Sequence, residues 1–187
     1  IKPDYTHHTT QSSITINKFP KSLNELIFAN CTSLKEIALP SDLEYIHKKA
    51  FANCSSLTKI KLPDTIKEID QYAFTNYSSL TEIVLPPDLT HIKIGTFRNC
   101  INLKSISLPE KLEEIESYAF DNCSSLSEIN FPFNLKTINE YAFYKCTNLR
   151  SITLNGKVDF QPIAFEECHS LSFFHIPENN PRYIFKV

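Results

Sequence analysis

The sequence predicts a β-rich solenoid, in which leucine-rich repeats of about 23 residues stack as turns, with a parallel β-sheet on one face and short strands, 3₁₀ or helical turns on the return side. Leu and Ile recur with a step of 23 residues, as in Leu34 and Leu57 or Ile37 and Ile60. Only 2 Gly occur in 187 residues, which disfavours folds built on glycine-rich phosphate loops or tight hairpins. Phe keeps almost the same step, at Phe28, Phe51, Phe74, Phe97, Phe120, Phe143 and Phe165.

The first part of each repeat, L-x-x-I-x-L-P, predicts a strand of the parallel sheet. Ile60 and Leu62 alternate and therefore face the interior, whereas Lys59 and Lys61 face outward. Pro63 ends the strand because it cannot donate a hydrogen bond to a neighbour. Such short strands hold only if parallel neighbours about 4.8 Å away satisfy their backbone groups.

The second part, L-x-x-I-x-x-x-A-F, returns the chain along the opposite side. Its Leu/Ile pair predicts a short strand or extended stretch, and A-F-x-N-C predicts a helical or 3₁₀ turn. Phe is the largest inward residue of every turn, so the phenylalanines should form the core spine. The interior members of this spine are Phe51, Phe74, Phe97, Phe120 and Phe143.

The copy LSEINFPFNLKTINEYAFYKCTNL, from Leu126 to Leu149, resembles the BspA-like, or Treponema-type, leucine-rich repeat. The resemblance extends over residues 19–176, and the tail IPENNPRY resembles the linker after such repeats. It implies a surface-exposed protein of bacteria or parasitic protists that binds host proteins, including extracellular-matrix components, or other cells. No catalytic residues come with the family.

The sequence departs from the family pattern after the second Ile, where family copies often carry Gly. Lys and Glu tolerate a left-handed backbone poorly, so we expect a different turn geometry there. The residues in this column are His47, Asp70, Lys93, Glu116 and Asn139. We predict an N-terminal segment or irregular cap over 1–18, a solenoid over 19–177, and a tail over 178–187 that could begin a further turn.

The six cysteines fall in one column of the repeat, and Tyr77 takes the seventh place. A Cys-to-Tyr exchange favours a packing role over a covalent one. Disulfides between neighbouring turns, such as Cys123–Cys146, are not excluded by distance, but parallel Cα–Cβ directions make their geometry poor. Zinc binding is disfavoured because no C-x-x-C or C-x-x-H cluster occurs.

Four N-x-[S/T] sequons also share one column, at Asn30, Asn53, Asn76 and Asn122. They are candidate glycosylation sites if the protein passes through a eukaryotic secretory pathway. The alternative, which we favour, is that Asn and Ser hydrogen-bond the backbone of the repeat's own turn.

Two surfaces are candidates for partner binding. The sheet face mixes both charges with polar and apolar residues, which fits recognition of a protein better than of a uniform polyanion. The return side carries a column of tyrosines, Tyr72, Tyr118 and Tyr141, which favour interfaces but could simply cover the edge of the core. The candidates on the sheet face are Glu36, Lys59, Lys61, Glu82, Val84, Asn130, Phe173 and His175.

The sequence therefore predicts a non-catalytic protein-binding module without catalytic residues, metal or cofactor, secreted or at the cell surface, that mediates adhesion or host-protein binding. A net charge of −2 argues against nucleic-acid binding, and no apolar run is long enough for insertion of this segment into a membrane. The partner would be a host extracellular-matrix or cell-surface protein. The alternative is an intracellular structural component of a larger cytoplasmic assembly.

Overall fold

The computed structural model describes residues 10–16 and 21–175 of the chain. Parallel strands recur along one side of the molecule, and each pairs with its equivalent one repeat away, as Ile14 with Ile37 and Ile129 with Ile152. These strands form what we call the main sheet. They are β1 (Ser13–Thr15), β3 (Glu36–Ala38), β6 (Glu82–Val84), β8 (Ser105–Ser107), β10 (Glu128–Phe131), β12 (Ser151–Leu154) and β14 (Phe173–His175).

A second set of two-residue strands runs along the opposite side and forms the return sheet. In five of the seven, the second Ile of the return segment is the buried residue and a polar residue beside it faces outward, whereas β2 buries Leu23 and β13 carries the half-buried Phe160. They are β2 (Ser22–Leu23), β4 (Tyr45–Ile46), β5 (Glu68–Ile69), β7 (His91–Ile92), β9 (Glu114–Ile115), β11 (Thr137–Ile138) and β13 (Asp159–Phe160). The predicted solenoid with parallel sheets is confirmed.

The A-F-x-N-C segments form hydrogen-bonded turns, and within the described chain a 3₁₀ helix is assigned only at Pro162–Phe165. The helical alternative fails in the other turns because each contains two residues with a positive φ, which interrupts helical backbone. The backbone N–H groups of these turns instead reach the next turn, as Phe51 N donates to Ala73 O at 2.9 Å. The A-F-x-N-C turns, which we call the corners, thus form a third ladder of hydrogen bonds between repeats, beside the two sheets.

The core is a single column of ring and aliphatic side chains between the two sheets. Seven phenylalanines, Phe28 through Phe165, stack with ring centroids 5.0–5.6 Å apart. The interior members from Phe51 to Phe143 are fully buried. Such stacking in a dry column is worth about 0.5–1.5 kcal/mol per pair beyond the area that each ring buries.

Both sheets are interrupted near the third repeat. The predicted strand over residues 59–62 is not formed, although Ile60 and Leu62 are buried as expected. On the return side, β5 pairs with β4 but not with β7. The main sheet has a further break between β8 and β10. We call the level between β5 and β7 the joint.

The predicted tail 178–187 and the linker-like stretch from Ile176 to Tyr183 lie outside the described residues. Within the predicted N-terminal segment, β1 already pairs with β3 in the main sheet. The boundary at residue 19 stays a prediction.

Candidate functional site

The return-side tyrosines lie at a column of left-handed backbone. Tyr72, Tyr118 and Tyr141 have φ values of 58°, 59° and 56°, and the same column holds Lys49 and Gly95. This column lies two residues after the column of Lys93 and Glu116, at which we expected a different turn geometry. Lys93 and Glu116 therefore do not adopt the left-handed conformation. Left-handed backbone costs an L-residue roughly 1–2 kcal/mol, and only Gly95 avoids that cost.

The tyrosine rings form a half-buried patch, which we call the tyrosine patch and define as Tyr72, Tyr118, Tyr141 and Tyr144. Tyr118 and Tyr141 stack at 5.2 Å, and Tyr144 meets Tyr141 edge-on at 5.5 Å. The Tyr72 ring lies over Gly95, where a Cβ atom would overlap it. Because residue 95 has no side chain, the Tyr72 ring can occupy the space that a side chain there would take.

Three cationic side chains contact the rings of this patch. The Arg98 guanidinium lies 5.7 Å from the centroid of Tyr118, and its Nε is 2.8 Å from Oδ2 of the buried Asp121. Burial raises the pKa of the Asp121 carboxyl, and Arg98 opposes this effect. The ammonium groups of Lys49 and Lys145 lie 5.9 Å and 4.9 Å from the rings of Tyr72 and Tyr144. Each such contact contributes roughly 0.5–1 kcal/mol at an exposed site.

An open depression of about 410 Å³ adjoins the patch, and we call it the cationic depression. It lies across the corners of three successive turns. Three of its lining side chains are cationic, and no carboxylate lines it. The lining residues are Lys48, Lys49, Tyr72, Thr75, Asn76, Arg98 and Asn99.

The sheet-face candidates point outward, as the alternation of the strands requires. Val84 and Phe173 lie on different strands, and they expose 74% and 70% of their surface. Lys59 Nζ lies 3.7 Å from Glu82 Oε1, an exposed pair worth little to stability. The remaining candidates, Glu36, Lys61, Asn130 and His175, are exposed.

All six cysteines are free and buried. Five of them, from Cys54 to Cys168, donate the Sγ hydrogen to a Phe carbonyl oxygen of the preceding turn at 3.0–3.3 Å. Burial raises the pKa of the Cys54 and Cys100 thiols to about 12, so they remain protonated at neutral pH. Tyr77 replaces the thiol in one turn, and its buried hydroxyl is the one buried side-chain oxygen or nitrogen in the described chain that lacks a hydrogen-bond partner.

The four sequon asparagines belong to a continuous side-chain ladder with Asn99. Each Asn from Asn53 onward donates its Nδ2 to Oδ1 of the Asn one turn earlier, at 2.6–3.0 Å. All have a positive φ, which Asn tolerates better than most residues. Glycan attachment at Asn30, Asn53, Asn76 or Asn122 would use the same Nδ2 atoms, three of which already donate within the ladder. Glycosylation stays a prediction that glycosidase treatment of native-source protein tests.

Sequence reasoning missed Arg98, Lys48 and Lys49 as neighbours of the tyrosines. A signal was present, because Arg98 lies 26 residues after Tyr72, one repeat plus three positions. Predicting this contact would have required the distance between side chains across the A-F-x-N-C turn, which the repeat period does not give. Among the described residues, no cluster of His, Cys, Asp and Glu could hold a metal ion, and no helix is long and apolar enough to cross a membrane.

Comparison with known proteins identifies the repeat. The family model for the BspA type leucine rich repeat region matches residues 1–97 and 77–186, with six copies. Comparison with curated proteins gives no match.

Several solved structures share the fold. A leucine-rich repeat protein from Eubacterium ventriosum is 25% identical, with a TM-score of 0.78, over 84% of this chain and 43% of that chain. A leucine rich cell surface protein from Faecalibacterium prausnitzii is 19% identical, with a TM-score of 0.50, over 94% of this chain and 62% of that chain. The pneumococcal vaccine antigen PcpA is 19% identical, with a TM-score of 0.55, over 88% of this chain and 56% of that chain. The present chain thus spans less than two thirds of each relative.

These features define a leucine-rich solenoid, a class of repeat scaffold that is typically non-catalytic and typically binds proteins. More narrowly, the chain belongs to the BspA type leucine rich repeat family, as the sequence predicts.

Proposed function

We propose that this chain is a non-catalytic protein-binding module displayed on a cell surface, and that the tyrosine patch contacts its partner, a host matrix or cell-surface protein. The observation that carries this proposal is the left-handed backbone of Tyr72, Tyr118 and Tyr141. Bulky residues at a costly backbone position suggest a role beyond folding.

The core does not require tyrosine at this column. Lys49 and Leu26 fill the equivalent position in other turns with similar φ values, and Leu26 is 44% exposed. The tyrosines instead present ring area that the stack and the bordering cations already hold in place. Preorganised aromatic area loses little side-chain entropy on contact, which favours binding.

Two structural relatives support display on a cell surface. One is described as a leucine rich cell surface protein, and another as a pneumococcal vaccine antigen. Antibody binding to intact cells of the source organism tests this part of the proposal. Staining of permeabilised cells alone would favour the intracellular structural component.

The contact face is tested by capturing host extracellular-matrix and cell-surface proteins on the immobilised full chain. We expect Tyr118→Ser combined with Tyr141→Ser to reduce capture at least tenfold, because a tyrosine that acts as an interface hot spot contributes about 2 kcal/mol or more. The matched control, Val84→Ser with Phe173→Ser, removes exposed apolar area from the sheet face and should leave capture unchanged. The reverse pattern would move the contact to the main sheet, and no capture by the unaltered chain would reject the proposed function.

A further inference from the structure

We infer that the cationic depression binds an acidic segment of the partner protein, through carboxylates that meet Lys48, Lys49 and Arg98. This inference rests on the proposed function and specifies the chemistry that the partner must present. It concerns the end of the tyrosine patch at which Tyr72, rather than the Tyr118–Tyr141 stack, forms the wall.

The charges of the depression differ from those along the return sheet. There, lysines are paired with acids of neighbouring turns, as Lys67 with Glu44 at 2.7 Å and Lys136 with Glu113 at 2.6 Å. Lys48 and Lys49 have no carboxylate within ion-pair distance among the described residues. Their positive charge is therefore available to a partner.

Arg98 supplies a preorganised third cation. Its guanidinium is held by the buried Asp121 on one side and by the face of Tyr118 on the other. Asp121 offsets part of this charge, but its Oδ2 engages only the Nε–H of Arg98, and the guanidinium has further N–H donors for a second carboxylate. Holding the side chain in advance lowers the ordering cost of binding.

Continuity with the tyrosine patch favours a protein as the source of the carboxylates over an anionic polysaccharide. Tyr72 belongs both to the tyrosine patch and to the depression, so one partner surface can cover both. Acidic groups would steer the encounter and fix its orientation, while the tyrosines supply buried apolar area.

The test titrates the isotope-labelled full chain with a synthetic oligoglutamate peptide and follows backbone amide chemical shifts. We expect shift changes at the depression, weakening as ionic strength rises. Lys48→Gln with Lys49→Gln should weaken binding roughly three- to tenfold. The matched control, Lys35→Gln with Lys104→Gln, removes two exposed charges elsewhere and should leave binding unchanged.

Three outcomes would overturn the inference: shift changes away from the depression, equal weakening by both double variants, or binding of a sulfated oligosaccharide but not of oligoglutamate. Because the peptide replaces the natural partner, this result is independent of the capture experiment. Capture that depends on Tyr118 and Tyr141 but not on Lys48 and Lys49 would reject the acidic segment and leave the proposed function intact.

Discussion

The unpartnered hydroxyl of Tyr77 makes a sharp test of how the core is packed. Tyr77 is fully buried, its ring stacks on Phe74 at 6.1 Å, and its phenolic oxygen has no hydrogen-bond partner. Burial raises the pKa of this phenol far above its ordinary value, so the group stays neutral. Tyr77→Phe removes the hydroxyl and keeps the ring.

We expect this substitution to stabilise the protein, because an unsatisfied buried polar group costs about 1–3 kcal/mol. For a chain of this size, each 1 kcal/mol corresponds to a rise in Tm of about 2–4 °C. Urea unfolding followed by circular dichroism, together with thermal melting, measures the change. Tyr118→Phe, which removes the hydroxyl of a half-buried tyrosine, is the matched control and should change stability by less than about 0.5 kcal/mol.

A loss of stability in Tyr77→Phe would refute this reasoning, because it would mean that the hydroxyl is hydrogen-bonded in solution. Tyr77→Cys adds a second check. It restores the residue type of the column but deletes the ring, so the cavity should make this variant less stable than Tyr77→Phe.

Three further outcomes follow from the same structure. Phe97→Ala should cost about 3–5 kcal/mol in urea unfolding, because it opens a cavity inside the ring stack, and an unchanged midpoint would contradict the assigned core. Stability should be highest below the pKa of an unfolded thiol, about 8.5, and should fall as pH rises towards about 12, because folding raises the pKa of Cys54 and Cys100. In thermal melts across this pH range, Cys100→Ala should make the fall in stability less steep. An identical slope would contradict this expectation. In chemical unfolding, Asn76→Gly should destabilise the protein by about 1 kcal/mol less than Asn76→Ala. Both variants lose the hydrogen bonds of the Asn ladder, but only Ala pays the cost of the left-handed backbone. Equal losses would show that the whole effect comes from the hydrogen bonds.

The repeat made most of the fold predictable, because a fixed period transfers one turn's reasoning to all turns. The inward direction of Phe97 and of Ile129 follows from alternation and period alone. The absence of the strand at residues 59–62 does not follow from the sequence, because the pattern of these residues matches that of the strands that form. Pairing depends on how neighbouring turns twist against one another, which a period cannot report.

The candidate site was only partly predictable for a related reason. The tyrosine column is visible in the sequence because its members share a register. The Asn ladder and the placement of Arg98 over Tyr118 depend on side-chain direction at the corner, where the backbone is left-handed. No local propensity predicts that Tyr118 and Lys49 adopt this conformation.

The joint has a mechanical consequence. At the level where β5 and β7 do not pair, the turns are joined by the corner hydrogen bonds, the Asn76–Asn99 contact, the ion pairs of Lys93 with Glu68 and Asp70, and the Phe74–Phe97 rings, whose 5.6 Å separation is the widest in the stack. Curvature should therefore change more readily here than elsewhere in the described turns. The cationic depression spans the joint, because Lys49 and Tyr72 lie on one side of it and Arg98 on the other. A partner bound to these three residues would therefore restrict bending at the joint.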